Sequence, residues 1–336
     1  MVRLRTVSPS DVGWTRVARG KGFSYLDETG ERLPPEHVAR CKALVIPPAW
    51  QEVWICRYDN GHIQATGMDD AGRKQYRYHD QWRVQRDMEK HERVLTVARN
   101  LPDARKIVRE DLDRPGMPRE RALATAFRLL DMGFFRVGNE QYVTDNGSYG
   151  LSTLRKDHCV VTAESMKFCF VAKSGKRQEI ELVDDDARDA LRTMRRRRGG
   201  GEELLAYRDG RKWRDIASDD INEYVRDVIG AEMTAKDFRT WHATVLAAVA
   251  LAVSTSVAHS RTGKKRAISR AMQEVSGYLG NTPTVARASY VDPRVIDLYE
   301  GGRTIEHVLP DLGDGNAVGE PATHGVVERA VLDLLS

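Results

Sequence analysis

The stretch that decides the fold is Gln81–Asn100, QWRVQRDMEKHERVLTVARN. It is long and highly charged and contains neither Gly nor Pro, a pattern typical of a helix. The chain before it consists of short alternating segments broken by turns, whereas most of the chain after it has helical periodicity. This change of period predicts an α+β protein with a domain boundary near residue 83.

The first 83 residues are predicted to form a small β-rich domain. Gly22–Leu26 alternates between apolar and polar side chains and runs into a turn. Two further strand candidates, Val53–Arg57 and His62–Ala65, flank Asp59–Gly61 (DNG), which is a hairpin signal. We therefore expect residues 1–83 to be an N-terminal sheet.

Residues 84–300 are predicted to form a larger, mainly α-helical domain with a short β-hairpin region. The hairpin is expected where Ser165–Ala172 and Gln178–Val183 flank a Lys-Ser-Gly-Lys turn. Helical patterns cover Arg119–Met132, Asp185–Arg198, Asp219–Ile229, Lys236–Ala258, Ile268–Leu279 and Pro293–Tyr299. Residues 301–336 are a C-terminal extension of unknown role, with a loose connection over 301–317 and a final helix at Val326–Leu335.

Composition excludes several classes of protein. The net charge is +4, from 53 Lys and Arg against 49 Asp and Glu, so total charge does not indicate nucleic-acid binding. The four cysteines form no CxxC pair and are expected to be buried free thiols. The apolar stretch Thr244–Ala258 is too short to cross a bilayer and predicts a buried helix. No signal-peptide core and no GxxxxGK[ST] motif occur, so we expect a cytoplasmic protein with no membrane partner and no nucleotide.

Positive charge is concentrated in three segments. In Gly72–Arg83, GRKQYRYHDQWR, strand alternation would place Gln75 and Arg77 on one face and Tyr76 and Tyr78 on the other. Basic and aromatic groups together suit contact with phosphates and sugars, but a solvated edge strand would have the same composition.

The other two basic segments lie in the helical region. Arg195–Gly201, RRRRGGG, predicts either a phosphate-binding loop or a solvated helix end. Arg261–Arg270, RTGKKRAISR, predicts a basic connection that becomes ordered on DNA.

Five residues carry the chemistry that we infer, although each alone has an ordinary interpretation. Read singly, they are a structural ion pair, a solvated lysine, an inward-packed arginine, a helix cap and a packed tyrosine. They are Arg136, Lys173, Arg239, Asn281 and Tyr290.

Their joint arrangement resembles the type IB DNA topoisomerases, specifically the small bacterial enzymes akin to those of poxviruses. The motifs that carry the resemblance are GRKQYRYHDQWR (72–83), GFFRVGNEQY (133–142), VAKSGK (171–176), KDFRTWHA (236–243) and LGNTPTVARASYVDPRVIDLY (279–299). They occur in the family's order, and the resemblance covers about residues 20–300. It implies that the N-terminal sheet and the helical catalytic domain close around duplex DNA as a bilobed clamp.

The resemblance also implies a role for each of the five residues. Tyr290 would attack the scissile phosphodiester and form a 3′-phosphotyrosyl link. Arg136, Arg239 and Asn281 would contact the non-bridging oxygens, and Lys173 would protonate the departing 5′-oxygen. Always-charged, planar guanidinium groups suit a phosphorane-like transition state and can take the place of a metal ion. Most of the wider family has His at the position of Asn281, and Asn can donate a hydrogen bond there but cannot act as an acid.

The expected partner is duplex DNA, bound by a monomer in the bacterial nucleoid. The residues expected to contact DNA combine the basic-aromatic strand with two later sites; they are Arg73, Lys74, Gln75, Tyr76, Tyr78, Tyr142, Lys264 and Lys265. Neither a metal site nor a required cofactor is expected, with a divalent cation as an optional stimulant. The covalent link would conserve the phosphodiester's energy, so religation would need no ATP.

Two alternative functions remain open on the sequence. A tyrosine site-specific recombinase shares the Arg-Lys-Arg-Tyr chemistry, although the β-rich N-terminus opposes it. A non-catalytic DNA-binding or architectural protein would retain the clamp without the reaction.

Overall fold

The computed structural model describes residues 3–20, 22–140, 143–144, 147–230, 233–256, 258, 260–313 and 321–336. Contacts divide the chain into two compact units, Met1–Lys90 and His91–Ser336. Each unit has its own hydrophobic core. The α+β class expected from the sequence is confirmed.

The first unit is built on a five-stranded antiparallel sheet. Its elements are β1 (Trp14–Arg19), β2 (Gly22–Leu26), α1 (Pro35–Ala43), β3 (Gln51–Ile55), β4 (Ile63–Met68) and β5 (Lys74–Tyr78). The strand order β2-β1-β3-β4-β5 places β5 at an edge. The strands predicted from alternation are present, whereas β1 and α1 had not been predicted from the sequence.

A tight turn sets the register of the β4–β5 hairpin. One carboxylate oxygen of Asp69, Oδ1, accepts hydrogen bonds from the backbone N–H groups of Ala71 at 3.0 Å and Arg73 at 2.9 Å. Gly72 has φ +71°, a conformation that costs glycine little. The turn therefore fixes which side chains of β5 share a face.

The long helix α2 (Asp80–Leu112) extends beyond its predicted end at Asn100. It continues through Pro102, which cannot donate the helical hydrogen bond to the carbonyl of Ala98. In the part of the helix after Asn100, Leu101 and Val108 are buried in the core of the second unit. Burial of this apolar face offsets the local cost of the proline, so tertiary packing outweighs intrinsic propensity.

The second unit is mainly helical, with two small antiparallel sheets. Its helices are α3 (Arg119–Gly133), α4 (Asp185–Arg196), α5 (Ser218–Ile229), α6 (Ala235–Val253), α7 (Arg261–Leu279), α8 (Pro283–Ser289), α9 (Pro293–Glu300) and α10 (Val326–Leu335). Its strands are β6 (Cys159–Val161), β7 (Met166–Val171) and β8 (Arg177–Leu182) in one sheet, and β9 (Ala206–Asp209) and β10 (Lys212–Asp215) in the other. Side chains of β7 alternate between buried and exposed, as predicted. No helix of the described residues is both long enough and apolar enough to span a membrane.

The basic segment Arg261–Arg270 is helical, so the prediction of a connection that orders on DNA was wrong. The segment forms the first half of α7, which begins at the cap Ser260, whose hydroxyl accepts from the N–H of Gly263 at 3.0 Å. Ala267 and Ile268 are buried and give the segment an apolar face. Burial of that face therefore orders the segment without a ligand.

Both interpretations of the run Arg195–Gly201 were wrong for Arg197. This side chain is buried, and its guanidinium donates to the carbonyl oxygens of Met194 at 2.9 Å and Leu204 at 3.1 Å. It also pairs with Asp215 at 3.2 Å. Arg197 therefore holds the end of α4 against the following chain.

The expectation of buried thiols needs a smaller correction, because Cys169 is exposed.

The C-terminal segment packs into the core of the second unit. Ile305, Val308, Val327 and Val331 are buried there. A short 3-10 helix, Glu306–Asp311, lies in the region predicted to be a loose connection. The described residues after 300 therefore add buried apolar surface to the second unit.

A buried ionic network joins this segment to α2, α3 and α6. Arg105 donates two hydrogen bonds to Asp131, at 2.8 and 2.9 Å, and two to Glu328, at 2.6 and 3.0 Å. The indole N–H of Trp241 also donates to Glu328, at 2.7 Å. Burial favours the neutral acids, but the charge of Arg105 holds the pKa of Asp131 and that of Glu328 below their usual values.

This network predicts that Glu328→Ala strongly destabilises the protein. The substitution leaves the indole N–H without its acceptor and removes half of the hydrogen bonds of a buried guanidinium. Breaking such a pair costs about 3–5 kcal/mol. Chemical denaturation should detect this loss, whereas Asp333→Ala, at an exposed acid of the same helix, should change stability little. Equal stability of the two variants would contradict the role of the network.

Candidate active site

Two arginines converge on the carbonyl group that ends α7. The oxygen of Leu279 accepts from Nη2 of Arg239 at 2.6 Å and from Nη2 of Arg136 at 3.4 Å. Arg136 follows α3, and Arg239 lies in the second turn of α6. The C-terminal end of a helix carries partial negative charge, which favours cations at this position. The end of α7 therefore brings together two predicted site residues that are 103 positions apart in sequence.

Gly280 ends α7 and turns the chain toward Asn281. Its φ is +61°, and a Cβ atom at this position would overlap the side-chain amide of Gln178. The backbone N–H of Asn281 returns to the carbonyl of Ser276 at 3.0 Å, which is the hydrogen bond expected when glycine ends a helix. The backbone conformation therefore favours glycine here, whereas the overlap with the flexible end of Gln178 could be relieved by a change of that side chain.

The amide of Asn281 is oriented by Arg136. Its Oδ1 accepts from Nη2 of Arg136 at 2.8 Å. Its Nδ2 is buried and makes no hydrogen bond with any described residue. Since the oxygen is occupied by the guanidinium, the amide hydrogens remain available to donate to a ligand.

Arg239 is the most buried charge of the group, with 3% of its surface exposed. Nη1 donates to the carbonyl oxygen of Phe134, while Nε has no hydrogen-bond partner in the described part of the chain. Burial, helped by the charge of Arg136, lowers the pKa of Arg239 to about 10. The side chain therefore remains charged at neutral pH although it is almost out of contact with water.

Tyr290 lies directly after α8 and beside Arg239. The centroid of its ring is 5.4 Å from Cζ of Arg239. Burial acts to raise the pKa of Tyr290, but the charges of Arg239, Arg136 and Lys236 outweigh it and lower that pKa below the ordinary value. The surrounding cations therefore favour the phenolate.

Thr244 holds the backbone on both sides of this tyrosine. Its one hydroxyl proton is shared between the carbonyl oxygens of Thr240 at 2.8 Å and Tyr290 at 3.3 Å, and its oxygen accepts from the N–H of Asp292 at 3.1 Å. Thr244 and Arg239 are both on α6, so one rigid helix positions the backbone of the tyrosine and a cation beside its ring.

Lys173 lies in the turn between β7 and β8 and is exposed. It makes no hydrogen bond or ion pair with any residue that the structure describes. The same turn nevertheless reaches the site, because Nζ of Lys176 is 3.5 Å from the carbonyl oxygen of Asn281. Four of the five predicted residues thus form one cluster, and the fifth is on a hairpin turn that contacts it.

The basic-aromatic strand is the edge strand β5 of the first unit. The rings of Tyr76 and Tyr78 stack with centroids 5.8 Å apart, so the two tyrosines share a face. On the neighbouring turn, Arg73 forms an ion pair with Asp69 at 2.9 Å, and Gln75 donates to the same carboxylate at 2.9 Å. Lys74 is exposed.

The remaining predicted DNA contacts have different environments. Lys264 donates to the carbonyl oxygen of Glu300 at 2.7 Å, so its ammonium group is engaged at the end of α9. Lys265 is exposed. Tyr142 lies outside the described residues.

Three contributors to the site were missed from the sequence. Thr244 and Gln178 act through backbone contact and space, which leave no local signal. Lys236 precedes Arg239 by three residues, and this spacing places both on one helical face, so it could have been inferred.

A further polar cluster, Asp131, His242 and His324, has donor atoms close enough together to hold a metal ion.

Two family models and two known proteins match the sequence of this chain. Residues 79–300 match the family described as "Eukaryotic DNA topoisomerase I, catalytic core", and residues 22–69 match "Bacterial DNA topoisomerase IB, N-terminal domain". The chain is 31% identical over 300 residues to DNA topoisomerase 1B of Acanthamoeba polyphaga mimivirus, covering 87% of this chain and 89% of that protein. It is also 27% identical over 161 residues to DNA topoisomerase 1 of Schizosaccharomyces pombe, covering 47% of this chain and 19% of that protein.

The electrostatics of the cluster predict that Lys236→Gln raises the pKa of Tyr290, because one of the cations that stabilise the phenolate is lost. Titration of ¹³Cζ-labelled tyrosines by NMR, with the Tyr290 signal assigned from a Phe variant, would measure the shift. Lys264→Gln is the control, since that lysine is engaged at Glu300. A Tyr290 pKa that is unchanged or lowered in Lys236→Gln would show that this charge does not act on the phenol.

Proposed function

The chain belongs to the type IB DNA topoisomerases, and from this premise we propose that it relaxes supercoiled DNA through a transient 3′-phosphotyrosyl link at Tyr290, without ATP. The observation that carries the proposal is a buried cluster of uncompensated positive charge beside one tyrosine. Among the described residues, no carboxylate forms an ion pair with Arg136 or Arg239. Because isolated buried charges are unfavourable, such a cluster is suited to receive an anion.

We assign that anion to the scissile phosphate. The two guanidiniums are planar, permanently charged donors, which suit the crowded oxygens of a phosphorane-like centre. The free amide hydrogens of Asn281 provide a neutral donor held by Arg136. Because these donors are in place before the reaction, they stabilise developing charge with little reorganisation.

In the cleavage step, the phenolic oxygen of Tyr290 forms a bond to phosphorus while the bond from phosphorus to the 5′-oxygen breaks. The lowered pKa of Tyr290 reduces the cost of removing the phenolic proton. No carboxylate or imidazole of the described residues hydrogen-bonds this phenol, so we assign its proton to water. Religation reverses the step, with the 5′-hydroxyl as nucleophile and the tyrosine as leaving group.

We assign protonation of the departing 5′-oxygen to Lys173. An alkoxide is a poor leaving group, so a positioned acid contributes about 10²–10⁴-fold. Lys173 is exposed on a turn that contacts the Asn281 loop, and no described side chain forms an ion pair with it. Its proton is therefore available to bound DNA.

The proposed reaction requires neither ATP nor a metal cofactor, although a divalent cation would stimulate it by acting on DNA. The phosphotyrosyl bond conserves the energy of the phosphodiester that it replaces. We further propose that the protein acts as a monomer on duplex DNA of the bacterial nucleoid. The surface that contacts DNA would include Arg73, Lys74, Gln75, Tyr76, Tyr78, Tyr142, Lys264 and Lys265.

The central prediction is that Tyr290→Phe abolishes relaxation but leaves DNA binding intact. Loss of the nucleophile should slow relaxation of a supercoiled plasmid by about 10⁴-fold or more. The assay contains chelator and no ATP, and wild-type protein should relax the plasmid under these conditions. Tyr299→Phe is a matched control, because no described residue hydrogen-bonds the hydroxyl of that buried tyrosine.

Two outcomes would favour the alternative functions. Retained activity of Tyr290→Phe, or the absence of any activity in the wild type, would favour a non-catalytic DNA-binding protein. A strict requirement for paired recognition sites, with recombinant products, would favour a recombinase.

A second prediction tests Lys173. Lys173→Ala should slow single-turnover cleavage of an ordinary strand by about 10²–10⁴-fold. A strand with a 5′-bridging sulfur should be cleaved at nearly the wild-type rate, because a thiolate leaves without protonation. Lys167→Ala, at an exposed lysine of β7, should cleave both strands normally. Equal slowing of both strands by Lys173→Ala would rule out the general-acid role.

A further inference from the structure

Three side chains of types that can bind metal ions lie close together in the second unit. The proposed cleavage reaction gives none of them a role. Asp131 lies in the last turns of α3, His242 lies on α6, and His324 precedes α10. They are 1%, 4% and 3% exposed, respectively. One donor atom from each residue lies within 4.8 Å of the other two.

The distances within this cluster are close to those of a tetrahedral metal site. Nε2 of His242 is 3.3 Å from Oδ1 of Asp131, and Nε2 of His324 is 3.9 Å from the same oxygen. Ligand bonds of about 2.0–2.1 Å at tetrahedral angles separate neighbouring donor atoms by about 3.3 Å. His242 and Asp131 have this spacing, and a small movement of His324 would complete it.

Both imidazoles have unsatisfied nitrogen atoms. Nε2 of His242 has only the 3.3 Å contact with Asp131, and both ring nitrogens of His324 are buried without a hydrogen-bond partner among the residues that the structure describes. Buried polar atoms are almost always paired, so poorly paired nitrogens on both rings at one point leave a place for a ligand. A metal ion would use one nitrogen of each ring.

The charges around the cluster also favour a cation. Arg105 is one positive charge against the two carboxylates of Asp131 and Glu328, and Trp241 contributes only a neutral N–H donor. With neutral histidines, the buried group has a net charge of −1. Arg105 uses one acceptor position on each oxygen of Asp131, whereas a carboxylate offers about four. One position on Oδ1 therefore remains for a metal, with Arg105 orienting the ligand from behind.

We propose that Asp131, His242 and His324 bind one zinc ion, which fastens the C-terminal segment to α3 and α6. Two imidazoles and one carboxylate are a ligand set that zinc accepts, and a solvent molecule would take the fourth position. His242 lies three residues after Arg239, and Asp131 lies five residues before Arg136. The ion therefore stabilises the two segments that carry the site arginines without contacting the scissile phosphate.

Zinc binding by the full chain tests this site. Protein stripped with a chelator and dialysed against micromolar Zn²⁺ should retain one zinc per chain by metal analysis. At zinc about 100-fold above the Kd, the Tm should rise by about 5–10 °C. His307→Asn, at an exposed histidine, should behave in the same way, whereas His324→Asn should bind at least about 100-fold more weakly, so that its Tm rises by less than about 2 °C at the same zinc concentration.

Three results would overturn the proposal. They are absence of binding to the wild type, equal binding by His324→Asn, and binding that is lost in Cys169→Ser, which would place the ion at the exposed thiol. If His324→Asn fails to fold, Co²⁺ added to the stripped wild type decides. Visible absorption typical of four-coordinate nitrogen and oxygen ligation supports the site, and its absence excludes it.

Discussion

The arrangement of the active site depends on one buried guanidinium. Arg239 is 3% exposed and is held by the carbonyl oxygens of Phe134 and Leu279, without a carboxylate. Carbonyl groups can orient a guanidinium, but they do not neutralise it. The ends of α3 and α7 are therefore drawn to the side chain while its charge remains available. Because its pKa stays near 10, the charge persists at neutral pH.

A second buried arginine in the same unit shows the contrast. Arg105 forms ion pairs with two carboxylates and donates two hydrogen bonds to each, so its charge is already paired. Helix α6 joins the two environments, since Trp241 faces the network in which Arg105 is paired with carboxylates and Arg239 lies in the cluster that has none among the described residues. The paired charges around Arg105 stabilise the fold, and this stability offsets the cost of the unpaired charges around Arg239 in the neighbouring candidate site. Such a division is expected when function requires an unfavourable local arrangement.

Sequence patterns predicted those features that depend on local periodicity. The alternation of β7, the final helix and the turn between β7 and β8 follow from side-chain period and from residues with special backbone preferences. The continuation of α2 through Pro102 and the burial of Arg197 could not be predicted, because both depend on packing against distant parts of the chain. The helical structure of Arg261–Arg270 at the start of α7 could not be predicted either, because its small apolar face, Ala267 and Ile268, lies among more numerous basic residues.

The candidate site was predictable as a set but not as a geometry. Family motifs selected Arg136, Arg239, Asn281 and Tyr290, yet nothing in those motifs shows that Leu279 joins the two arginines or that Thr244 fixes the backbone of the tyrosine. These contacts pass through carbonyl oxygens and a hydroxyl, which every helix end and every threonine possesses.

Asn281 shows what such contacts add to the chemistry. An amide in place of the family's usual histidine loses the option of a charged donor, and a freely rotating amide could present either its oxygen or its nitrogen to a phosphate. Arg136 removes this ambiguity, because its guanidinium occupies Oδ1 at 2.8 Å and leaves Nδ2 as the unpaired group. A phosphate oxygen would therefore meet a donor rather than a repelling acceptor. In the proposed reaction the same guanidinium would supply charge to the anion, and it fixes the polarity of the amide beside it, so asparagine could serve as the neutral donor at this position.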